Sequence, residues 1–362
     1  MPLPRRLLAA ASLLCLPAAA LAVPAQAATS TSYTVVAGGL EGPRELSFSG
    51  TTAYVATSDD GQVRAWSGGT WTTLQSRLGG TQGVAMVNGD LLAAVGANQP
   101  DDSSAKQPPR GLSATVVKAT TGGRTVVADP QRFELAHNPD GQTQFGKGGV
   151  PLDALSNPYY LIPDAHGYAL LADAGANDIL RLNSRHAVSL FATLPLITAG
   201  ACKGAKNNDP KHVGCDPVPT GLTYGPDGAL YVSALGGEVE GAVFKLDAMT
   251  GALLQTWTGF GEGLTGVAVG PDGTIYASEL LHGAPQGDGP PPKGFDPSTV
   301  GRIVRVAADG TKTYAAVPMP AGLAWHDGQL WSTAWSVAGL LGVKSAGQLV
   351  TVPTSAFVSP AS

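Results

Sequence analysis

The chain is expected to be all-β, a six-bladed β-propeller with four-stranded blades. Three observations predict it: one phrase recurs six times, each copy is followed by two more short alternating stretches, and the last unit lacks a strand that the amino terminus can supply. The clearest copies are "GPDGALYVSAL" (Gly225 to Leu235) and "GPDGTIYASEL" (Gly270 to Leu280). Around them runs a common frame of a small residue or proline, two positions, an apolar pair, a turn and an alternating strand. It is met at Pro43, Thr81, Pro158, Pro219, Leu264 and Pro320.

Each element of a unit has a local reason. Period-two alternation bounded by Asp, Asn and Gly marks strands, as in "GAVFKLD" followed by "ALLQTWTGF", or "NDILRLN" followed by "AVSLFATL". The Pro-Asp-Gly core makes a hairpin turn: Pro226 and Pro271 preset φ, Asp227 and Asp272 bond nearby backbone, and Gly228 and Gly273 accept positive φ. The most conspicuous motif is therefore structural. The last unit has only three strands, and "SYTVVAGGL" (Ser32 to Leu40) supplies the fourth, closing the ring and removing a sheet edge. A short helix is expected in "DPQRFELAHNPDG" (Asp129 to Gly141), inside the second blade's insertion.

Residues 1–27 read as a secretory signal peptide, with Arg5 and Arg6, an apolar run and Ala25-Gln26-Ala27. Pro17 and Pro24 interrupt the run, which argues against a membrane span. The organisation expected is signal peptide 1–27, linker 28–32, propeller 33–357 and tail 358–362, with the mature protein secreted or in the cell envelope. Loss of the two arginines takes the formal charge from −5 to −7. A mildly acidic chain without basic runs argues against nucleic acid as a partner. A monomer without an integral membrane segment is expected, its partner a small molecule or an extracellular protein.

Cys202 and Cys215 remain after cleavage, in one polar loop, and are expected to form a disulfide. His212 lies between them, but the spacing of a zinc site is lacking.

In a propeller, loops that lead into the innermost strand and loops that join the second and third strands share one face. Here that face carries the insertions, so a ligand site is expected there, near the axis. Its rim candidates are Glu41, Arg44, Asp59, Asn157, Asp173, Asn177, Asp178, Glu238, Glu279 and His282. Arg44, the lone cation, is expected to pair with Asp173 or Glu41. Converging carboxylates suit a hard cation such as calcium, although Asp and Asn in turns also serve as caps. No Gly-x-Ser-x-Gly elbow, His-Glu-x-x-His helix or phosphate loop occurs. The six tryptophans are read as packing between sheets, with Trp335 alone near a rim loop.

"GLEGPREL", "HNPDG" followed by "SNPYYL", "ADAGANDILRL" and "VPTGLTYGPDGALYV" resemble the ScyD/ScyE family of exported propellers, from about Tyr33 to Pro353. The blade phrases alone fit any NHL-like or TolB-like propeller. Two residues depart from the family pattern: Glu45 and Tyr160 stand where glycine is usual. The resemblance implies the fold and no catalytic residues. Glu41-Gly42-Pro43, Asn157 and Asp173 are also similar to the metal ligands of gluconolactonase-type propellers, whereas Pro219-Thr220-Gly221, Ser233 and Ala234 break that pattern. Two functions follow as expectations. The first is a secreted binding or scaffold module of unknown ligand; the alternative is a metal-dependent hydrolase or lyase with a cation at the axis held by Glu41, Asn157 and Asp173.

Overall fold

A computed structural model describes residues 32–98, 108–109, 111–120, 123–142, 155–207, 212–237, 239–285 and 291–359. Six four-stranded antiparallel sheets form a six-bladed propeller, with innermost strands Pro43–Ser49, Thr81–Val87, Pro158–Pro163, Pro219–Tyr224, Leu264–Val269 and Leu323–His326. In five blades the four strands follow one another in sequence. In the sixth, Thr34–Leu40 pairs with Gly347–Val352, Thr34 opposite Thr351 and Leu40 opposite Gly347, so the chain's first strand closes the ring.

Burial falls off radially, as the alternation requires. The second strands Ala169–Asp173, Leu230–Ala234 and Ile275–Glu279 are buried at every residue, whereas the outer strand Leu253–Trp257 is exposed along most of its length. Each of the six interfaces between adjacent blades holds its own apolar cluster, including the one between sixth and first, where Leu40 and Leu349 meet Leu46 and Val55. Burying such side chains stabilises by about 1.5–3 kcal/mol each, so the ring is held by side-to-side packing of sheets. The tryptophans serve that packing: Trp325 stacks on Tyr276 of the fifth blade and Trp331 meets Phe48 of the first.

The Pro-Asp-Gly turns behave as expected. Gly228 and Gly273 have φ of 74° and 81°, and Asp227 and Asp272 accept from Ala229 N–H and Thr274 N–H. The α-helix, Pro130–His137, starts on an Asp129 cap that accepts from Arg132 N–H at 2.9 Å, and ends on left-handed Asn138. It does not lie inside the second blade. It belongs to the connection that leads from that blade's outer strand, Gly123–Ala128, into the third blade.

Cys202 and Cys215 are disulfide-bonded. The loop they close is clamped by Glu240, whose carboxylate accepts from Ala201 N–H at 2.5 Å and from Gly259 N–H at 2.8 Å. Among the described residues no helix is long and apolar enough to cross a membrane.

Candidate functional site

The third residue of the recurring frame is glycine in four blades: Gly83, Gly221, Gly266 and Gly322. A methyl group at Gly266 would run into Ala321 O, and one at Gly322 into Leu46 N and Arg44 O, so the inner strands approach too closely for a side chain. The other two blades carry Glu45 and Tyr160 at this position, and both reach across the axis. Glu45 Oε2 accepts from Val84 N–H of the second blade (2.7 Å) and Leu161 N–H of the third (2.9 Å). Tyr160 donates from its hydroxyl towards Leu46 O of the first blade (3.3 Å) and Leu323 O of the sixth (3.4 Å). Both are buried, and Glu45 Oε1 has no partner among the described residues. Burial pushes the Glu45 carboxyl well above the usual carboxylate range, against the pull of its two N–H donors.

One residue nearer the insertion-bearing face stand Arg44, Gln82 and Tyr159. Arg44 donates to Ser336 O and pairs with Asp59 at 3.7 Å, not with Asp173 or Glu41. Burial raises the Tyr159 hydroxyl, Arg44 pulls it down and Glu45 pushes it up, so these three groups share one electrostatic neighbourhood. Gln82 adds a buried Oε1 without a partner among the described residues.

The remaining rim candidates separate by blade. Asn157 and Asp173 meet: Asp173 Oδ1 accepts from Asn157 N–H (2.6 Å) and Gly175 N–H (3.2 Å), and Oδ2 accepts from Ser156 Oγ. The Asn157 side chain points elsewhere, its Oδ1 accepting from Ala97 N–H at 2.9 Å. Glu41 accepts from Ser345 Oγ of the sixth blade at 2.7 Å. Glu41 Oε1, Asn157 Oδ1 and both Asp173 oxygens thus accept from donors of the chain. Asn177, left-handed at φ 55°, bridges Val218 N–H and Asp140 Oδ2. Glu279 is buried, accepts from Arg302 Nε and from Gly261 N–H (2.5 Å), and has exposed His282 at 3.9 Å. Burial and then Arg302 lower the His282 imidazole, against the pull of Glu279. Glu238 lies outside the described residues. Trp335 takes φ 58° beside the rim, its N–H bonded to Pro318 O.

Behind Asp173 lies a group that the rim list caught only in part. Asp173 and Asp178 face each other across the second and third strands of the third blade. Glu134 comes from the helix and Asp140 from the turn after it. Glu134 and Asp178 are 1% and 0% exposed, and neither oxygen of either carboxyl has a partner among the described residues. Burial, then Asp140 and Asp173, raise Glu134 to about 8; burial, then Asp173, Glu134 and Asp140, raise Asp178. Burial also raises Asp173. Sequence reasoning missed Glu134 because a helical glutamate reads as solvated. The confrontation of Asp173 with Asp178 was visible in "ADAGANDI", where two acids bracket one hairpin loop. Among the described residues no three His, Cys, Asp or Glu side chains stand in a ready metal-holding arrangement.

No family model matches the chain, and no curated protein does. Solved structures do. A gluconolactonase from Xanthomonas campestris is 14% identical with a TM-score of 0.52, covering 88% of this chain and 89% of its own. Regucalcin, a calcium-binding protein from Agrobacterium tumefaciens, is 12% identical with a TM-score of 0.51, over 88% and 92%. The PQQ-bound aldose sugar dehydrogenase from Streptomyces coelicolor is 12% identical with a TM-score of 0.52, over 88% and 96%. At these identities the likeness is one of fold.

Proposed function

We propose that the protein is a hydrolase or lyase acting on a small polar molecule at the insertion-bearing end of the propeller axis. One observation carries this reading: Glu45 is buried among the innermost strands with one carboxyl oxygen lacking a partner among the described residues, in one electrostatic neighbourhood with Arg44 and Tyr159. Burying such groups costs free energy that ring closure does not require, and strongly perturbed acids gather where chemistry is done. Arg44 offers positive charge to a developing oxyanion, and the Tyr159 hydroxyl, kept protonated, is a proton donor within the same field. The same fold carries a gluconolactonase and a calcium-binding protein, which supports the reading by analogy of fold alone. Export of the mature chain belongs to the same proposal, supported by the disulfide, since such bonds persist in oxidising compartments.

The test is turnover of a panel of lactones, carboxylate esters and polar lyase substrates by the purified protein, with and without added divalent cations. Activity that falls by about 100-fold or more in Arg44→Ala and Tyr159→Phe supports the assignment. A folded protein that turns over nothing, yet binds one of the same molecules at equilibrium, returns the chain to the binding-module reading.

A further inference from the structure

The third and fifth blades can be compared at one position, because the same frame builds both. In the fifth blade Glu279 ends the second strand and pairs in register with Arg302 at the start of the third, and the two form an ion pair. In the third blade the corresponding partners are Asp173 and Asp178. An acid therefore stands where the fifth blade has its guanidinium. Like charges directly opposite on a sheet repel, and this pair is buried, where the repulsion is least screened. Among the described residues no lysine, arginine or histidine pairs with Glu134, Asp173 or Asp178.

The acids do not simply cap turns. Asp173 does, its oxygens taken by Ser156, Asn157 and Gly175, and Asp140 accepts from Gln142 N–H and Asn177 Nδ2. Glu134 and Asp178 are different, with four carboxylate oxygens buried and without a donor among the described residues, each residue lying in the field of Asp173 and Asp140. Half-buried Asn138 closes the helix one turn beyond Glu134, and its Oδ1 has no partner among the described residues.

We propose that Glu134 and Asp178 form a divalent-cation site in the third blade, beneath the insertion-bearing face and separate from the axial set Glu41, Asn157 and Asp173. The donors are oxygen only, without sulfur or imidazole, so the site selects a hard cation, and calcium above zinc. Two carboxylates able to bind through both oxygens supply up to four of the six to eight oxygens calcium takes. The cation then does for the third blade what Arg302 does for the fifth. It also ties the helix leading into the blade to the blade's third strand. The site stands whether or not the protein turns over a substrate.

The experiment is calorimetric titration of the chelator-treated full chain with calcium, magnesium and zinc chlorides, with melting followed in parallel. One calcium ion per chain, a raised melting temperature, and affinity weakened more than about tenfold in both Glu134→Gln and Asp178→Asn are expected. Asp178→Arg, which copies the fifth blade, is expected to fold and to lose the calcium response. No calcium binding at millimolar concentration overturns the proposal. So does binding that survives both isosteric variants, or that is lost in Glu41→Gln but kept in Asp178→Asn. Turnover is not read, so a failed search for a substrate leaves this result unaffected.

Discussion

Glu45 shows how a single side chain can hold a ring together and tax it at the same time. One oxygen joins the second and third blades to the first, while the other is buried without a partner among the described residues. Its carboxyl is raised in the folded protein, so the folded state binds a proton that the unfolded state releases above its ordinary value near 4.5. The neutral form's stability is fully present below that value and is lost as pH rises towards the raised folded value. Across that window wild type should lose up to about 1.4 kcal/mol per pH unit from this group. Glu45→Gln keeps an acceptor for Val84 and Leu161 and cannot ionise. Denaturant melts from pH 5 to 8 should therefore show the variant gaining on wild type as pH rises; parallel curves would mean that Glu45 is not the group responsible. Val218 and Met319 show another residue-scale cost. They take φ of 53° and 42° just before Pro219 and Pro320, where the recurring frame begins and other blades use Gly42, Gly80 and Gly263.

Among the elements, the innermost strands are constrained most tightly. Their glycines are needed for close approach of backbone to backbone: the nearest atoms to a methyl at Gly322 are Leu46 N and Arg44 O, neither of which can rotate away. Gly322→Ala should cost about 3 kcal/mol through forced displacement of the first blade's inner strand, lowering the melting temperature by several degrees. Gly38→Ala on the outermost strand meets nothing within 4 Å and serves as the control, expected to melt with wild type. Equal losses in both would remove close approach as the cause. Hydroxyls stitch the same strands across blades, with Thr220 donating to Leu264 O at 2.7 Å and Ser47 to Val84 O at 2.7 Å. The Cys202–Cys215 loop adds a local staple, worth about 3 kcal/mol if chain entropy dominates.

For the whole molecule, closure by Thr34–Leu40 decides whether the six sheets are a ring or an open stack. Leu40 is fully buried and Ala37 nearly so in the cluster between sixth and first blades. Deleting the chain through Leu40 would expose Gly347–Val352 as an unprotected sheet edge. Size-exclusion chromatography should then show aggregates, and the melt should broaden; a monodisperse protein melting like the full chain would refute closure as a source of stability. Blade number, strand order, closure and the disulfide were all legible in the chain, because alternation, turn residues and cysteine spacing are local and repeat. Glu45 and Tyr160 were legible only as oddities, since a lone departure from a repeat does not say which way it faces. That each bonds the backbone of other blades follows from the curvature of the ring, which brings first, second, third and sixth blades within one side chain's reach. The pairing of Asp173 with Asp178 could be read from one hairpin, but the arrival of Glu134 beside them could not. The sequence by itself determined which segments are strands and how many sheets they make, because period-two burial and turn chemistry act between near neighbours. Only the tertiary structure decided which charges are buried together, because desolvation and repulsion depend on distances that the chain sets when the helix before the third blade packs down.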